Sequence, residues 1–208
     1  AEWERRAAAW VRDSDEFELK VLPLTDAMFD QAGLHPGQRV LELACGPGGM
    51  IPRELAAVSP GGAVVATDIS PKMVEAARQR HAGDAVEVME MGIDWIDSPA
   101  RVADVILVRF GYMFADDPAA ALHEARRVLK PGGKLVAAIW AEPERNPYGT
   151  LPAQALSDIG AGPVPAAGDP GMFRLAEPGL FREMCLDAAF LEVEQREVEL
   201  SFHWNSLE

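Results

Sequence analysis

Cysteine is scarce in this chain: Cys45 and Cys185 are the only two among 208 residues. Two isolated thiols give no disulfide framework and point to a reducing compartment, the cytoplasm. Basic residues are short as well, with 19 Lys plus Arg against 33 Asp plus Glu and a net charge of −14. A field of that sign repels phosphate backbones and anionic lipid alike. The densest basic spots are the pairs Arg5-Arg6 and Arg126-Arg127, so nucleic acid is not an expected partner. No apolar run approaches the roughly eighteen residues of a membrane span. The opening Ala1-Glu2-Trp3-Glu4 lacks the basic-then-apolar order of a secretory leader. No Cys/His or carboxylate group has metal-ligand spacing, so no metal is expected, and no internal repeat is visible.

What remains is a composition for one packed domain over 1–208, 49% hydrophobic and 25% charged. Residues 1–32 read as helical, with Trp3, Ala7, Trp10 and Val11 on one stripe and Leu24, Met28 and Phe29 on another. Apolar runs then alternate with helical patterns at Val40–Ala44, Ala63–Thr67, Val86–Met91, Val105–Phe110 and Leu135–Trp140. Strands apolar on both faces belong to a parallel sheet covered by helices on each side. Ser70-Pro71 and Asp117-Pro118 each place a capping side chain before a proline suited to a first helical position. The fold class is therefore α/β and doubly wound, with a core over 33–140. Residues 141–179 hold seven Pro and six Gly, the texture of a substrate-side segment without regular elements throughout. From 180 to 208 the pattern predicts a helix over Pro178–Ala188, then an antiparallel strand pair at Leu191–Val193 and Glu197–Phe202.

The chemistry concentrates in Val40-Leu41-Glu42-Leu43-Ala44-Cys45-Gly46-Pro47-Gly48-Gly49-Met50, a buried strand running into a glycine-rich turn and a helix. Gly46 and Gly48 allow the backbone to approach a ligand where a Cβ would intervene. The next strand ends at Thr67-Asp68, 22 positions beyond Gly46. A carboxylate there is placed to accept both hydroxyls of a ribose. Turn, strand and acid together indicate an adenosine-containing cofactor. The dinucleotide pattern fails because Ile51 stands where its third glycine belongs, and no Gly-Lys-Ser/Thr phosphate loop occurs. Glu42 would repel a pyrophosphate, whereas it suits a ligand bearing an ammonium and a sulfonium.

On these residues the sequence resembles the class I S-adenosylmethionine-dependent methyltransferases, most closely the small-molecule branch that includes the ubiquinone/menaquinone biosynthesis methyltransferases. Val40–Gly49 is similar to the family's first motif and Val64–Met73 to its second. Ala103–Gly111 is similar to its fourth strand and exit, and Arg126–Gly133 to the turn before its fifth strand. The resemblance implies a Rossmann-like seven-stranded sheet with an antiparallel last strand, and an N-terminal helical lid over residues 1–32. It implies S-adenosyl-L-methionine as cofactor. The backbone from Ala44 through Cys45 and Gly46 to Gly48 would line the methionyl part, with Glu42 and the Arg109 carbonyl near its ammonium. Asp68 would hold the ribose, Ile69 would pack on the adenine, Met73 would lie nearby, and the Ile93 N–H would bond the ring. Two positions depart from the pattern. Ala44 replaces a frequent glycine, with a negative φ expected, and Gly92 stands where an Asp usually reaches the adenine amino group, so Asp94 is a candidate substitute.

His35, His81 and His123 read as structural or solvated, while His203 and Tyr112 are candidates for the acceptor side. Cys45 reads as a small turn residue rather than a nucleophile. Trp3, Trp10, Phe17, Tyr112, Met113, Phe114, Trp140 and Tyr148 are candidates for the wall of an apolar acceptor pocket. The expected activity is methyl transfer to a small, hydrophobic or aromatic acceptor. The alternative is a non-catalytic adenosine-ligand binding or sensor module on the same fold.

Overall fold

The computed structural model describes residues 2–203, with side chains from Glu4 onward. Five parallel strands form one sheet in the order β3-β2-β1-β4-β5. They are β1 (Arg39–Leu43), β2 (Ala63–Asp68), β3 (Val86–Glu90), β4 (Ala103–Arg109) and β5 (Leu129–Ala138). The strand order reverses between β1 and β4, and in such sheets the crevice at the carboxyl ends of those two strands is where ligands are met. β1 and β4 are the central strands, and Val40, Leu43, Ile106, Leu107 and Val108 are fully buried. This is why the two runs read as apolar on both faces.

Among the described residues seven α-helices accompany the sheet: α1 (Glu2–Lys20), α2 (Leu22–Ala32), α3 (Ile51–Val58), α4 (Pro71–Arg80), α5 (Pro118–Val128), α6 (Pro147–Asp158) and α7 (Leu180–Asp187). The predicted caps form. The Ser70 hydroxyl accepts from the Met73 N–H at the start of α4, and Asp117 accepts from Ala119 and Ala120 at the start of α5. β5 begins earlier than its apolar run, since the register jumps from Ala103–Leu129 to Val105–Lys134 and Lys130–Gly133 bulge between them.

Two expectations need correction. Among the described residues the sheet has five strands, all parallel, in place of seven with an antiparallel last one. The alternation over Leu191–Phe202 is real, but residues 190–203 form no strand. They stand across a groove from β5, and an isolated two-strand ribbon is marginal without a third strand to pair with. The proline-rich segment is also more regular than its composition implied. α6 forms within it with Pro152 inside, and it leaves Leu151, Leu156 and Ile159 exposed.

Candidate active site

The glycine-rich turn leaves β1 along a strained path. Ala44 has φ of 56°, which corrects the negative φ expected there. Gly111 packs so close that a Cβ built on it would come 2.9 Å from the Ala44 Cβ. Alanine is the smallest residue with a Cβ, and it enters the left-handed region at a cost of about 1–2 kcal/mol. Gly48, with φ of 82°, directs its missing Cβ inward, toward Ile51 Cδ1 at 2.7 Å and His81 Nε2 at 2.9 Å. A side chain at Gly48 therefore meets the protein interior rather than a ligand. Ile51, which occupies the third-glycine position, is fully buried beneath it.

Asp68 fastens this turn to β2. Its Oδ2 accepts the Gly46 N–H at 2.9 Å and its Oδ1 accepts the Ser70 N–H at 2.9 Å. Burial pushes the carboxyl up from its ordinary value, and these backbone donors pull it partly back. Each oxygen keeps a second lone pair for a further donor. His81, at the end of α4, secures the other side of the turn with Nε2 2.9 Å from the Gly48 carbonyl and Nδ1 3.1 Å from Asp84. The ring is buried, so His81 is structural as expected, but its task is to hold the turn and not to sit at a solvated helix end. His35 and His123 are on the surface.

Beside Asp68, Ile69 is 59% exposed, an apolar shelf at the end of β2. Gly92 faces it, since a Cβ built there would contact Ile69 Cδ1 at 3.6 Å. Met73 and Ile93 are buried. The Asp94 carboxylate is engaged elsewhere, accepting the Asp117 N–H at 2.8 Å where α5 begins.

α1 crosses this end of the sheet. A Cβ on Gly46 would lie 3.7 Å from the Trp10 indole nitrogen, and a Cβ on Gly49 would overlap the Glu18 carboxylate. The Arg109 guanidinium at the end of β4 makes a double hydrogen bond to Glu18, with Nη1 2.9 Å from Oε2, and Nη1 also donates to Thr25 of α2 at 2.6 Å. Further along α1, Glu4 accepts the Ser70 hydroxyl at 2.8 Å, and Asp15 takes Arg80. The turn is thus roofed by a helix whose anchors are charged.

Behind the turn, Glu42 of β1 and Glu54 of α3 are both buried and face each other. No donor reaches Glu42 Oε2 or either oxygen of Glu54. Burial raises both carboxyls, Glu54 to about 8, and their mutual repulsion raises Glu42 further. The buried Cys45 thiol is driven well up by burial and by these acids, which removes it as a nucleophile.

The acceptor-side candidates separate. Tyr112 is fully buried against Phe181, and its hydroxyl has no partner. It therefore sits in the core and does not line the groove. Met113 is likewise buried, and Phe114 is half-buried against that core. His203 is exposed at the last described position, and the Trp3 side chain lies outside the described ones. The aromatics that do converge are Phe110 on Trp140 (stacked, 4.4 Å), Tyr148 on Phe202 (stacked, 4.0 Å), and Phe17 beside both Phe110 and Phe202. Phe110, Trp140, Tyr148 and Phe202 line a groove of about 1970 Å³ that runs along β5.

Residues 41–137 match the methyltransferase-domain family. The ubiquinone/menaquinone biosynthesis C-methyltransferase UbiE of Ralstonia pickettii is 33% identical over 154 residues, 71% of this chain and 62% of that protein. A crystal structure of an S-adenosylmethionine-dependent methyltransferase from Aquifex aeolicus shares 26% identity, with a TM-score of 0.53 over 59% of this chain and 67% of that one. Residues 41–137 thus carry the likeness to the methyltransferase domain, on the five-stranded sheet described above. The fold extends further: a chain in the complex of the Haloferax volcanii Trm112 methyltransferase activator with a putative methyltransferase superposes with a TM-score of 0.70 over 89% of this chain and 75% of that one, at 21% identity. The chain spans about half the length of the curated relatives it matches.

The structure joins Asp68 to the glycine turn through the Gly46 N–H and sets Glu42 close to Cys45. Sequence reasoning missed Glu18, Glu54 and the turn-holding part of His81. Glu18 carries no local signal, because its partner Arg109 is 91 positions away. Glu54 had one: it sits in the first turn of a helix whose buried residues are otherwise Ile51 and Val58. Among the described residues no group of three His, Cys, Asp or Glu is arranged to hold a metal.

Proposed function

We propose that this domain transfers the methyl of S-adenosylmethionine to a small, apolar or aromatic acceptor. The observation that carries the reading is the joining of Asp68 to the glycine turn, with the exposed Ile69 shelf beside it. The lone pairs left on the Asp68 oxygens suit a ribose diol, and Ile69 facing Gly92 suits a flat base between them. Gly92 lacks a carboxylate for the adenine amino group, so in this reading the Ile93 N–H and the shelf recognise the base. Ala44, Cys45, Gly46 and Gly48 would offer backbone to the methionyl part, Met73 would back the shelf from below, and Glu42 and the Arg109 carbonyl would serve the ammonium.

The cofactor supplies an electrophilic methyl on a positively charged sulfur. The chain supplies position: an attacking O, N or C of the acceptor must be held in line with that methyl, and such orientation lowers a barrier by roughly 7–11 kcal/mol. In this reading α1, with Trp10 and Glu18 against the glycine turn, covers the cofactor, and the groove lined by Phe110, Trp140 and Tyr148 takes the acceptor. With Tyr112 in the core and His203 on the surface, no residue is assigned as a base, and the acceptor atom must be nucleophilic on its own. The name of the Ralstonia relative supports the finer reading, C-methylation of a quinone-type ring. The test is transfer of isotope-labelled methyl to a panel of quinols, phenols and aromatic amines. Labelled product supports the reading. Tight cofactor binding with no transfer to any member favours the binding-module alternative.

A further inference from the structure

We infer that Glu42 and Glu54 form a charge-selecting carboxyl pair behind the glycine turn, which favours the cationic methyl donor over its uncharged-sulfur product and releases a proton when the donor binds. The inference rests on the proposed cofactor site and assigns Glu54 a positioning role there. It begins from an imbalance. Of the charged groups around the turn, Arg109 from β4 is matched by Glu18 from α1 in a two-point ion pair. Asp68 from β2 is matched by two backbone N–H groups, and His81 beyond α4 is held between Gly48 and Asp84. The Cys45 thiol stays protonated. Glu42 and Glu54 feel the attraction of Arg109, which Glu18 already pairs, but make no ion pair of their own, and three of their oxygens are buried without a hydrogen-bond partner.

Two buried carboxyls whose nearby cation, Arg109, is already paired with Glu18 cannot both ionise cheaply, so one proton is retained between them and satisfies orphaned oxygens. Burial acts in that direction on both carboxyls and repulsion by Glu54 adds to it on Glu42, while Arg109 opposes it in part. A cation arriving at the turn removes the cause. The methyl donor carries a sulfonium and an ammonium against one carboxylate, a net charge of +1. Its product, S-adenosylhomocysteine, keeps the ammonium and carboxylate but has a neutral thioether, so its net charge is zero. Both ligands bring the ammonium toward Glu42, but only the donor adds the sulfonium charge, so the donor displaces the larger share of the proton to solvent. By linkage, donor affinity gains relative to product affinity as pH rises through the range where the free pair still holds its proton.

The experiment is calorimetric titration of the full chain with S-adenosylmethionine and, separately, S-adenosylhomocysteine. It is run near pH 6 and near pH 8.5 in buffers of different ionisation enthalpy, for wild type and Glu54→Gln. Each ligand's amino group titrates alike in both proteins, so the difference between proteins reports the pair. Wild type is expected to release more protons with donor than with product. Its donor-to-product affinity ratio should rise by about tenfold across the interval, the equivalent of one pKa unit. Glu54→Gln should bind the donor with the extra proton release lost and the ratio flat, and Glu54→Met repeats the comparison should Gln fold poorly. Equal proton release for both ligands, or an unchanged ratio profile in the variants, overturns the inference while leaving the cofactor site standing. Failure of the wild type to bind either ligand overturns both.

Discussion

Removing Glu18 tests whether the roof over the turn is held by charge. Its side chain is 23% exposed and that of Arg109 only 9%. Glu18→Ala therefore leaves a largely buried guanidinium with Thr25 as its remaining neighbour among the contacts described above. Breaking a fully buried pair by removing one partner costs about 3–5 kcal/mol. The part-exposed carboxylate reduces this, since exposed pairs contribute only about 0–1 kcal/mol, and we expect about 2 kcal/mol. For a chain of this size each kcal/mol corresponds to roughly 2–4 °C, so Tm should fall by about 4–8 °C. Removing both partners in Glu18→Ala/Arg109→Met should recover part of that loss, because no buried charge is stranded. The assay is thermal unfolding of wild type, both single variants and the double variant at low and high salt. A coupling energy below about 0.5 kcal/mol would refute the argument, since that is what independent sites give.

Two further outcomes follow from the same geometry. Tyr112→Phe removes a buried hydroxyl that has no partner, so it should leave stability unchanged or raise it by about 1 kcal/mol without affecting cofactor affinity, as read by denaturant unfolding and calorimetry. Gly48→Ala should destabilise by about 2 kcal/mol or more, because its Cβ meets Ile51 and His81 and its φ of 82° disfavours any side chain, and the loss should appear in the melt even without ligand.

The architecture was legible where local rules act alone. Continuous apolar runs predicted the five parallel strands, and Ser70 and Asp117 marked two helix starts, because burial on both faces and capping are written in a few consecutive residues. The sequence erred where partners are distant. The alternation near Leu191–Phe202 has the period of a strand, yet period does not supply a neighbouring strand, and none of the described residues provides one. Ala44 was expected at negative φ because a side chain usually requires it, but it takes φ of 56° in the turn out of β1, packed beside Gly111 in the loop after β4. The position of Asp68 was readable from strand and turn spacing. The Glu18–Arg109 and Glu42–Glu54 pairs were not, since only the fold brings those residues together.

The central claim is that Asp68 and the glycine turn bind S-adenosylmethionine, and calorimetry of the donor with wild type and Asp68→Ala tests it most directly. Two charge-assisted hydrogen bonds to a ribose at about 1.5–3 kcal/mol each predict saturable 1:1 binding by wild type and at least about tenfold weaker binding by the variant. A melt of ligand-free Asp68→Ala separates loss of the contact from loss of the turn that Asp68 also holds. Equal affinity of the two proteins for the donor, or preferential binding of NADH by the wild type, would contradict the account.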